Sequence, residues 1–315
     1  MTRKIDTKTK LAGLIGHPVG HSVSPYLQNT LADRYGINMA YLAFDVASDG
    51  EIYNVIKGTR AMGAIGFNVT VPYKKSVMPF LAGIDETAKK IGAVNTMKLE
   101  SDGYHGYNTD MPGFCRALDY AGISVSGKNV VMVGAGGAAN AVLCGLLEKK
   151  AGNILILNRT VEKAEALADR FRDSYQDTKI FTAKLENAGK NPDNDPEKQS
   201  GSIGTADDFI TIMDKISSNK WTAIQCTSVG MSPDIDKAPI EENAFYERLD
   251  AAFDIIFNPR ETLFLRKARE QGAATSNGLG MLLFQGIRSF EIWNDLNVDD
   301  GIAAEMLAGM DQAMG

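Results

Sequence analysis

A glycine-rich turn between a strand-like run and a helix-like run constrains the fold of this chain most strongly. Residues 130–143 read VVMVGAGGAANAVL, so an apolar run leads into the pattern G-x-G-x-x-A. The first glycine permits a tight turn, and the second lets the backbone approach a pyrophosphate at the helix N-terminus. The alternative is a tight turn with no ligand, but the strand–turn–helix context favours a Rossmann-type dinucleotide site. The cofactor-binding residues predicted in this turn are Gly134, Ala135, Gly136, Gly137 and Ala138.

The end of the next strand-like run, ILILNRT at residues 154–160, indicates which dinucleotide binds. An NAD site usually carries an acidic residue here for the ribose 2′-hydroxyl, whereas this chain has Asn158 and Arg159. A carboxylate would repel a 2′-phosphate, whereas Arg159 would bind it and Thr160 would add a hydroxyl at the next helix N-terminus. The alternative is that Arg159 is a solvated surface arginine. The pattern favours NADP and leaves NAD as the second choice.

Strand-like and helix-like stretches alternate through most of the 315 residues, which predicts an α/β fold and is enough chain for two domains. LAGLIG, MAYLAFDV and AIGFNVTV are typical of strands, with helical patterns over 26–35 and 51–62. The turn-rich stretch ESDGYHGYNTDMPG at 100–113 is a candidate connection between two units. Residues 186–206 are rich in Asn, Asp, Gly, Pro and Ser, so we expect a surface loop there.

The segment HPVGHSVSPYLQ at residues 17–28 places two serines just before a helical pattern. Ser24 is predicted to be the N-cap and Pro25 suits the first helical position. Capping uses one hydroxyl, which leaves Ser22 without a role. The alternatives are a capped turn and a site for a carboxylate or phosphate at the helix N-terminus.

Composition and charge exclude several other function classes. The net charge is −6 with no basic cluster, so we expect no nucleic-acid partner. The charged opening MTRKIDTKTK predicts no signal peptide, and no run is long enough for a membrane span. The three cysteines and three histidines form no disulfide framework or metal pattern, so we expect no metal and a reducing, cytoplasmic location.

Five further motifs, in order along the chain, resemble those of the shikimate dehydrogenase family: GHPVGHSVSP, GFNVTVPYK, IGAVNT, GYNTD and NGLGMLLFQ. The resemblance implies an N-terminal α/β substrate-binding domain over 1–111, an inserted NADP-binding Rossmann domain over 112–276, and C-terminal helices over 277–315 that return to the first domain. It also implies reversible NADPH-dependent reduction of 3-dehydroshikimate to shikimate in aromatic amino acid (chorismate) biosynthesis. The partner would be a small-molecule substrate, and the chain a monomer or homodimer.

The resemblance also implies roles for individual residues. Lys74 corresponds to the catalytic lysine and Asp110 to its partner, which also binds substrate. The residues similar to those that bind substrate in the family are Ser22 and Ser24 for the carboxylate and Thr70, Asn95 and Gln285 for the hydroxyls. The residues similar to those that meet the nicotinamide are Gly278 and Met281. Taken without the resemblance, each has a plainer interpretation: a solvated lysine, a turn or cap carboxylate, locally satisfied polar groups, or a core methionine.

Three positions depart from the family pattern. Phe257 stands where a tyrosine usually supports the substrate carboxylate, Asn140 where many NADP-specific members have an arginine, and Met111 where glycine is common. These departures leave open a quinate/shikimate dehydrogenase with broader substrate and cofactor use. A non-catalytic shikimate or nucleotide sensor is the alternative from another class, against which the presence of both Lys74 and Asp110 argues.

Overall fold

The computed structural model describes residues 5–185 and 209–313 and divides the chain into two compact units. Of the described residues, the first unit comprises 5–113 and 282–313, and the second comprises 114–185 and 209–281. The predicted loop at 186–206 lies outside the described residues. Within the described ranges, every helix is too short or too polar to cross a membrane.

Strands and helices alternate along the chain in the way the sequence predicts. The strands are β1 (Lys10–Gly16), β2 (Met39–Asp45), β3 (Gly66–Val69), β4 (Gly83–Ile84), β5 (Thr96–Leu99), β6 (Tyr104–Tyr107), β7 (Asn129–Val133), β8 (Asn153–Asn158), β9 (Lys179–Lys184), β10 (Trp221–Gln225), β11 (Leu249–Asp254) and β12 (Ala274–Ser276). The helices are α1 (Ser24–Arg34), α2 (Ile52–Ala61), α3 (Glu86–Ile91), α4 (Asp110–Tyr120), α5 (Ala139–Glu148), α6 (Val161–Arg172), α7 (Phe209–Ile216), α8 (Asn243–Tyr246), α9 (Leu263–Glu270), α10 (Leu279–Asn294) and α11 (Asp300–Ala313). Short 3₁₀ turns lie at Asp49–Glu51 and Met78–Phe80.

The first unit is built on a mixed six-stranded sheet in the order β2-β1-β3-β5-β6-β4. β1 pairs in parallel with β2 and β3, whereas β5 runs antiparallel to both β3 and β6. The turn-rich stretch at 100–113, a candidate connection between two units, ends at the boundary between Gly113 and Phe114, and it also contains β6 and the start of α4. The reason for β6 is the alternation in YHGY, which buries Tyr104 and Gly106 while Met97 pairs with Gly106 across the strands.

The second unit is built on a six-stranded parallel sheet in the order β12-β11-β10-β7-β8-β9. Counted along the unit, this order is 3-2-1-4-5-6, as in dinucleotide-binding folds. Strands covered on both faces are expected to be continuously apolar, and every residue of β7, NVVMV, is buried. The strand order reverses between β7 and β10, which makes their carboxyl ends the expected ligand crevice. The predicted α/β fold with a Rossmann-type unit is confirmed.

Within the first unit, the start of α4 approaches α10 at backbone contact distance. A Cβ atom on Gly113 would lie 2.6 Å from the backbone nitrogen of Gln285 and 2.9 Å from its Cα atom. No side chain fits into such a gap. The close approach therefore fixes where Asp110, at the start of α4, lies relative to Gln285.

Gly113→Ala is expected to destabilise the protein by about 1–3 kcal/mol, since overpacking at this contact would force the two helices apart. Urea unfolding followed by circular dichroism measures the change. Gly58→Ala is the matched control in the same unit, because a Cβ on Gly58 in α2 would meet nothing within 4 Å. That control is expected to leave stability unchanged or raise it by up to about 1 kcal/mol. Equal stability of the Gly113→Ala variant and the wild type would contradict the close approach.

Candidate active site

Three of the predicted site residues meet within the first unit. Lys74, in the turn that follows β3, places its Nζ 2.6 Å from Oδ2 of Asp110, the first residue of α4. Asn95, just before β5, donates from Nδ2 to Oδ1 of the same carboxylate at 2.8 Å. The side chains of Lys74 and Asp110 are 28% and 15% exposed, so a ligand can reach a pair that is otherwise enclosed. The arrangement is a lysine and a carboxylate held in contact, as acid–base chemistry requires.

The orientation of the Asn95 amide is fixed by its other neighbours. Its Oδ1 accepts a hydrogen bond from the backbone N–H of Thr109 at 2.8 Å, and a backbone N–H can only donate. The amide nitrogen must therefore face Asp110. The backbone N–H of Asp110 donates to Oδ1 of Asn108 at 3.1 Å, so the backbone is held as well as the side chain.

The two serines near the N-terminus of α1 have roles other than capping. The prediction that Ser24 is the N-cap is wrong: α1 begins at Ser24, and Val23 occupies the cap position with no side-chain hydrogen bond. Ser22 Oγ accepts a hydrogen bond from the backbone N–H of Ser24 at 3.2 Å. This bond between residues two apart forms a local turn. The Leu27 N–H that a capping Ser24 would satisfy donates instead to the carbonyl oxygen of Val23 at 3.1 Å, and the Ser24 hydroxyl hydrogen-bonds the hydroxyl of Tyr41.

Sequence reasoning missed a set of buried polar side chains behind this site. Tyr41 Oη donates to Oδ1 of Asn68 at 2.8 Å. Burial raises the pKa of Tyr41 well above its usual value, and the hydrogen bond to Ser24 partly opposes that rise. We use the name hydroxyl cluster for the buried residues Asn68, Thr96, Thr109 and Ser289. The available signal was the presence of polar residues in otherwise apolar stretches, such as Asn68 within the fully buried strand GFNV.

The other two predicted substrate contacts of the first unit are half-buried. Thr70 follows β3 and packs against Gly16, because a Cβ atom added to Gly16 would lie 2.3 Å from Cγ2 of Thr70. Gln285, on α10, donates from Nε2 to the carbonyl oxygen of Leu282 at 2.9 Å. Among the residues that the structure describes, neither side chain hydrogen-bonds to Lys74 or Asp110.

The glycine turn of the second unit has the features of an anion site. Gly134 has φ +103, and a Cβ there would lie 2.6 Å from Cγ2 of Thr227, so only glycine fits. Gly136 and Gly137 are exposed, and α5 begins without a side-chain cap at Ala138. Ala139 donates its backbone N–H to the carbonyl oxygen of Gly136 at 3.1 Å, so a phosphate oxygen is left the exposed backbone of Gly136 and Gly137 and the later N–H groups of the first turn of α5.

Asn158, the last residue of β8, connects the end of that strand to the glycine turn by a hydrogen bond. Its Oδ1 accepts from the backbone N–H of Ala135 at 3.2 Å, and its Nδ2 donates to the carbonyl oxygen of Thr160 at 2.7 Å. Arg159 and Thr160 are exposed, and Thr160 is the N-cap of α6 with no side-chain capping bond. Asn158 therefore shapes the site, while the Arg159 guanidinium and the Thr160 hydroxyl are placed to bind an anion.

The remaining predicted residues also belong to the second unit. Phe257 is half-buried in the loop after β11, and Met281 is buried in the first turn of α10. Gly278 donates its backbone N–H to the carbonyl oxygen of Ile256 at 2.9 Å. Across the described ranges, no group of three or more His, Cys, Asp or Glu side chains could hold a metal ion.

A buried carboxyl group holds the loop that carries Phe257. Asp254, at the end of β11, is fully buried; Oδ1 accepts from the backbone N–H of Ile256 at 2.9 Å and Oδ2 accepts from Oγ1 of Thr262 at 2.7 Å. Burial raises the pKa of Asp254 to about 7, although hydrogen bonds from Ile256, Thr262 and Gln225 oppose the rise.

Comparison with known proteins identifies relatives along nearly the whole chain. The family model described as the shikimate dehydrogenase substrate binding domain matches residues 14–97, and the model described as shikimate / quinate 5-dehydrogenase matches residues 117–189. The shikimate dehydrogenase (NADP(+)) of Methanococcus aeolicus is 39% identical over 298 residues, which cover 95% of this chain and 96% of the relative.

Two solved structures show the same similarity. A crystal structure of a shikimate dehydrogenase in complex with NADP+ has a TM-score of 0.80 and 37% identity, covering 98% of this chain and 97% of that one. The shikimate 5-dehydrogenase of Listeria monocytogenes, in complex with shikimate and NAD, has a TM-score of 0.83 and 30% identity, covering 98% of this chain and 99% of that one.

Asp254 is expected to make stability fall as pH rises. Because the folded-state pKa of about 7 exceeds the ordinary value of 3.8, the unfolded chain loses its proton first. The contribution of Asp254 therefore declines between pH 4 and 7, by at most about 1.4 kcal/mol per pH unit, and is constant above that range. Urea unfolding of the wild type and Asp254→Asn at pH 4.5, 5.5, 6.5 and 7.5 measures the difference.

The control is Asp214→Asn in the same unit. A hydrogen bond from Arg248 lowers the pKa of Asp214, so its contribution is already complete above pH 5. The difference between wild type and Asp214→Asn should be flat over this range. A flat difference for Asp254→Asn as well would contradict the raised pKa of Asp254.

Proposed function

Since the chain belongs to the shikimate dehydrogenase family, it is an NADP-dependent oxidoreductase acting on a CH–OH group, and we propose Lys74 and Asp110 as its catalytic pair. The reaction is the reversible NADPH-dependent reduction of 3-dehydroshikimate to shikimate, a step in the formation of chorismate and the aromatic amino acids. The observation that carries the assignment of roles is the contact of Lys74 with Asp110, 2.6 Å apart at a partly open site.

Lys74 is the group that moves the proton. In the reducing direction its ammonium donates a proton to the oxygen that develops negative charge, and in the oxidising direction its amine accepts the hydroxyl proton. Asp110 orients Lys74 through Oδ2 and binds a substrate hydroxyl. Asn95 holds the Asp110 carboxylate in place, so both groups are fixed before the substrate arrives.

The substrate is held by groups at several positions of the first unit. Ser22 and Ser24 donate hydroxyl hydrogen bonds to the carboxylate, and for this the Ser24 hydroxyl turns from Tyr41 to the substrate. Hydroxyl donors suit a site that must bind an anion without a competing positive charge. Thr70, Asn95 and Gln285 position the ring hydroxyls. Phe257 lacks the hydroxyl of the family's usual tyrosine, so in this chain the two serines carry the carboxylate without its help.

The second unit holds the cofactor, whose nicotinamide supplies the hydride when bound. The glycine turn and the N-terminus of α5 bind the pyrophosphate, and Arg159 and Thr160 bind the 2′-phosphate. Gly278 and Met281 form the surface for the nicotinamide ring. Asn140 adds no positive charge after the glycine turn, so Arg159 is the main charge partner of the 2′-phosphate.

A quinate/shikimate dehydrogenase is the second candidate, favoured by Phe257 and by the shikimate / quinate description of the matching family model. Initial rates with shikimate or quinate against NADP or NAD decide between the two. The expected result is highest activity with shikimate and NADP. Comparable rates with quinate and NAD would favour the second candidate, and binding of shikimate without turnover would indicate a sensor.

We place the enzyme in the cytoplasm, as a monomer or homodimer that acts on a small molecule. Its cysteines are free thiols, two of them buried, as suits a reducing compartment. Fractionation of the source cells tests the location, and light scattering of the purified protein tests the oligomeric state.

Lys74→Ala is expected to lower kcat by roughly 10²–10⁴-fold, as loss of a general acid–base does, and to leave NADP binding nearly unchanged. Steady-state kinetics and NADP titration measure the two effects. The control is Lys75→Ala, which removes the neighbouring, exposed lysine and should retain kcat. A Lys74→Ala variant with wild-type kcat would remove Lys74 from the mechanism.

Arg159→Ala is expected to weaken NADP binding far more than NAD binding. The loss of a charge-assisted contact to the 2′-phosphate costs about 1.5–3 kcal/mol. Fluorescence titration with both cofactors measures the ratio. Arg170→Ala, in the last turn of α6, removes the same charge elsewhere and serves as the control. Equal losses for NADP and NAD would show that Arg159 does not recognise the 2′-phosphate.

A further inference from the structure

Ser289 lies at the centre of the hydroxyl cluster in the first unit. Its side chain is fully buried on α10, one turn after Gln285. Its Oγ lies within hydrogen-bond distance of four groups: Asn68 Nδ2 at 2.8 Å, Thr96 Oγ1 at 2.8 Å, Thr109 Oγ1 at 3.2 Å and the carbonyl oxygen of Gln285 at 3.0 Å. Four separate stretches of chain therefore meet at one hydroxyl.

The chemistry of the four partners determines how the Ser289 hydroxyl is used. Only the carbonyl oxygen of Gln285 is unable to donate, so it takes the single hydroxyl hydrogen of Ser289. The two lone pairs of Oγ then accept from the Asn68 amide and from one threonine hydroxyl. This uses the full hydrogen-bonding capacity of the side chain, and at a fully buried position no water replaces a partner that is lost.

Each stretch that meets at Ser289 also carries a residue of the proposed site. Asn68 lies two residues before Thr70, and Thr96 follows Asn95 directly. Thr109 precedes Asp110, and its Oγ1 and backbone N–H both donate to Oδ1 of Asn95. The displacement of any of these stretches by a fraction of an ångström would move the groups that contact the substrate.

We propose that Ser289 is a positioning residue: by hydrogen-bonding the Asn68 and Thr96 side chains and the Gln285 carbonyl oxygen it sets the placement of Asn95 and Gln285, and through Asn95 that of Asp110. It touches neither substrate nor cofactor. The proposal rests on the proposed function, because the effect of removing the Ser289 hydroxyl is measured in the shikimate reaction. Full activity with shikimate requires a hydroxyl at position 289, and a side chain of the same volume without a hydroxyl is insufficient.

The test compares Ser289→Ala, Ser289→Cys and the control Thr59→Ala. Cys retains the approximate volume of the side chain but is a weak hydrogen-bonding group, so it separates packing from hydrogen bonding. Thr59, in α2, is also buried and also donates to the carbonyl oxygen four residues earlier, at Val55, but lies outside the hydroxyl cluster. Steady-state kinetics with shikimate and NADP are measured for each variant, together with thermal unfolding midpoints.

Both Ser289 variants are expected to lower kcat/KM for shikimate about tenfold, as loss of more than one neutral hydrogen bond implies, with the KM for NADP unchanged. Thr59→Ala should lower the unfolding midpoint while retaining wild-type kinetics. Wild-type kinetics in Ser289→Ala, recovery in Ser289→Cys, or an equal kinetic loss in Thr59→Ala would overturn the proposal.

The wild-type rate separates this inference from the function on which it rests. If the wild type oxidises shikimate and the Ser289 variants match it, only the role of Ser289 is overturned. If the wild type fails to oxidise shikimate with NADP, the proposed function is overturned and the role of Ser289 with it.

Discussion

The first unit depends on the requirement that buried polar groups be hydrogen-bonded. Asn68, Thr96, Thr109 and Ser289 are all buried, and an unsatisfied polar group in such a place costs about 1–3 kcal/mol. They meet this cost by bonding to one another, which fixes β3, β5, α4 and α10 in one arrangement. The Asp110 carboxylate accepts a hydrogen bond from Asn95 and lies at the edge of that arrangement. The position of the proposed acid–base pair is therefore fixed by the hydrogen bonds of the buried residues behind it.

The second unit follows a different rule, because most of its interior is apolar. The parallel strands β7, β8 and β10 are buried through most of their length, so their position is set by hydrophobic burial and strand pairing. Several of its polar groups lie where strands end: the glycine turn after β7, Asn158 as the last residue of β8, and Asp254 as the last residue of β11. The residues proposed to bind the cofactor thus lie at the carboxyl ends of β7 and β8, the edge at which α/β sheets bind ligands.

Local sequence patterns were sufficient to predict much of the fold and of the proposed site. The G-x-G-x-x-A turn predicts the strand, turn and helix around Gly134, and the motifs GFNVTVPYK and GYNTD contain Lys74 and Asp110, which do meet. The same reasoning failed where a local preference competed with a neighbour. Ser24 is a favourable N-cap residue, but the Leu27 N–H donates to the carbonyl oxygen of Val23, so the helix begins one residue earlier and the Ser24 hydroxyl bonds to Tyr41. YHGY lies in a stretch whose composition is turn-rich, although pairing with β5 makes these four residues a strand.

The sequence by itself determined the fold class and the glycine turn and indicated the proposed acid–base pair, because each is carried by short contiguous motifs. Only the tertiary structure decided which polar residues support that pair. Asn68, Thr96 and Ser289 are separated by up to 221 residues and carry no shared motif, yet their side chains lie within hydrogen-bond distance. Such a cluster is specified by strand pairing and helix packing across the whole unit, and a hydrogen bond depends on that final geometry to within tenths of an ångström.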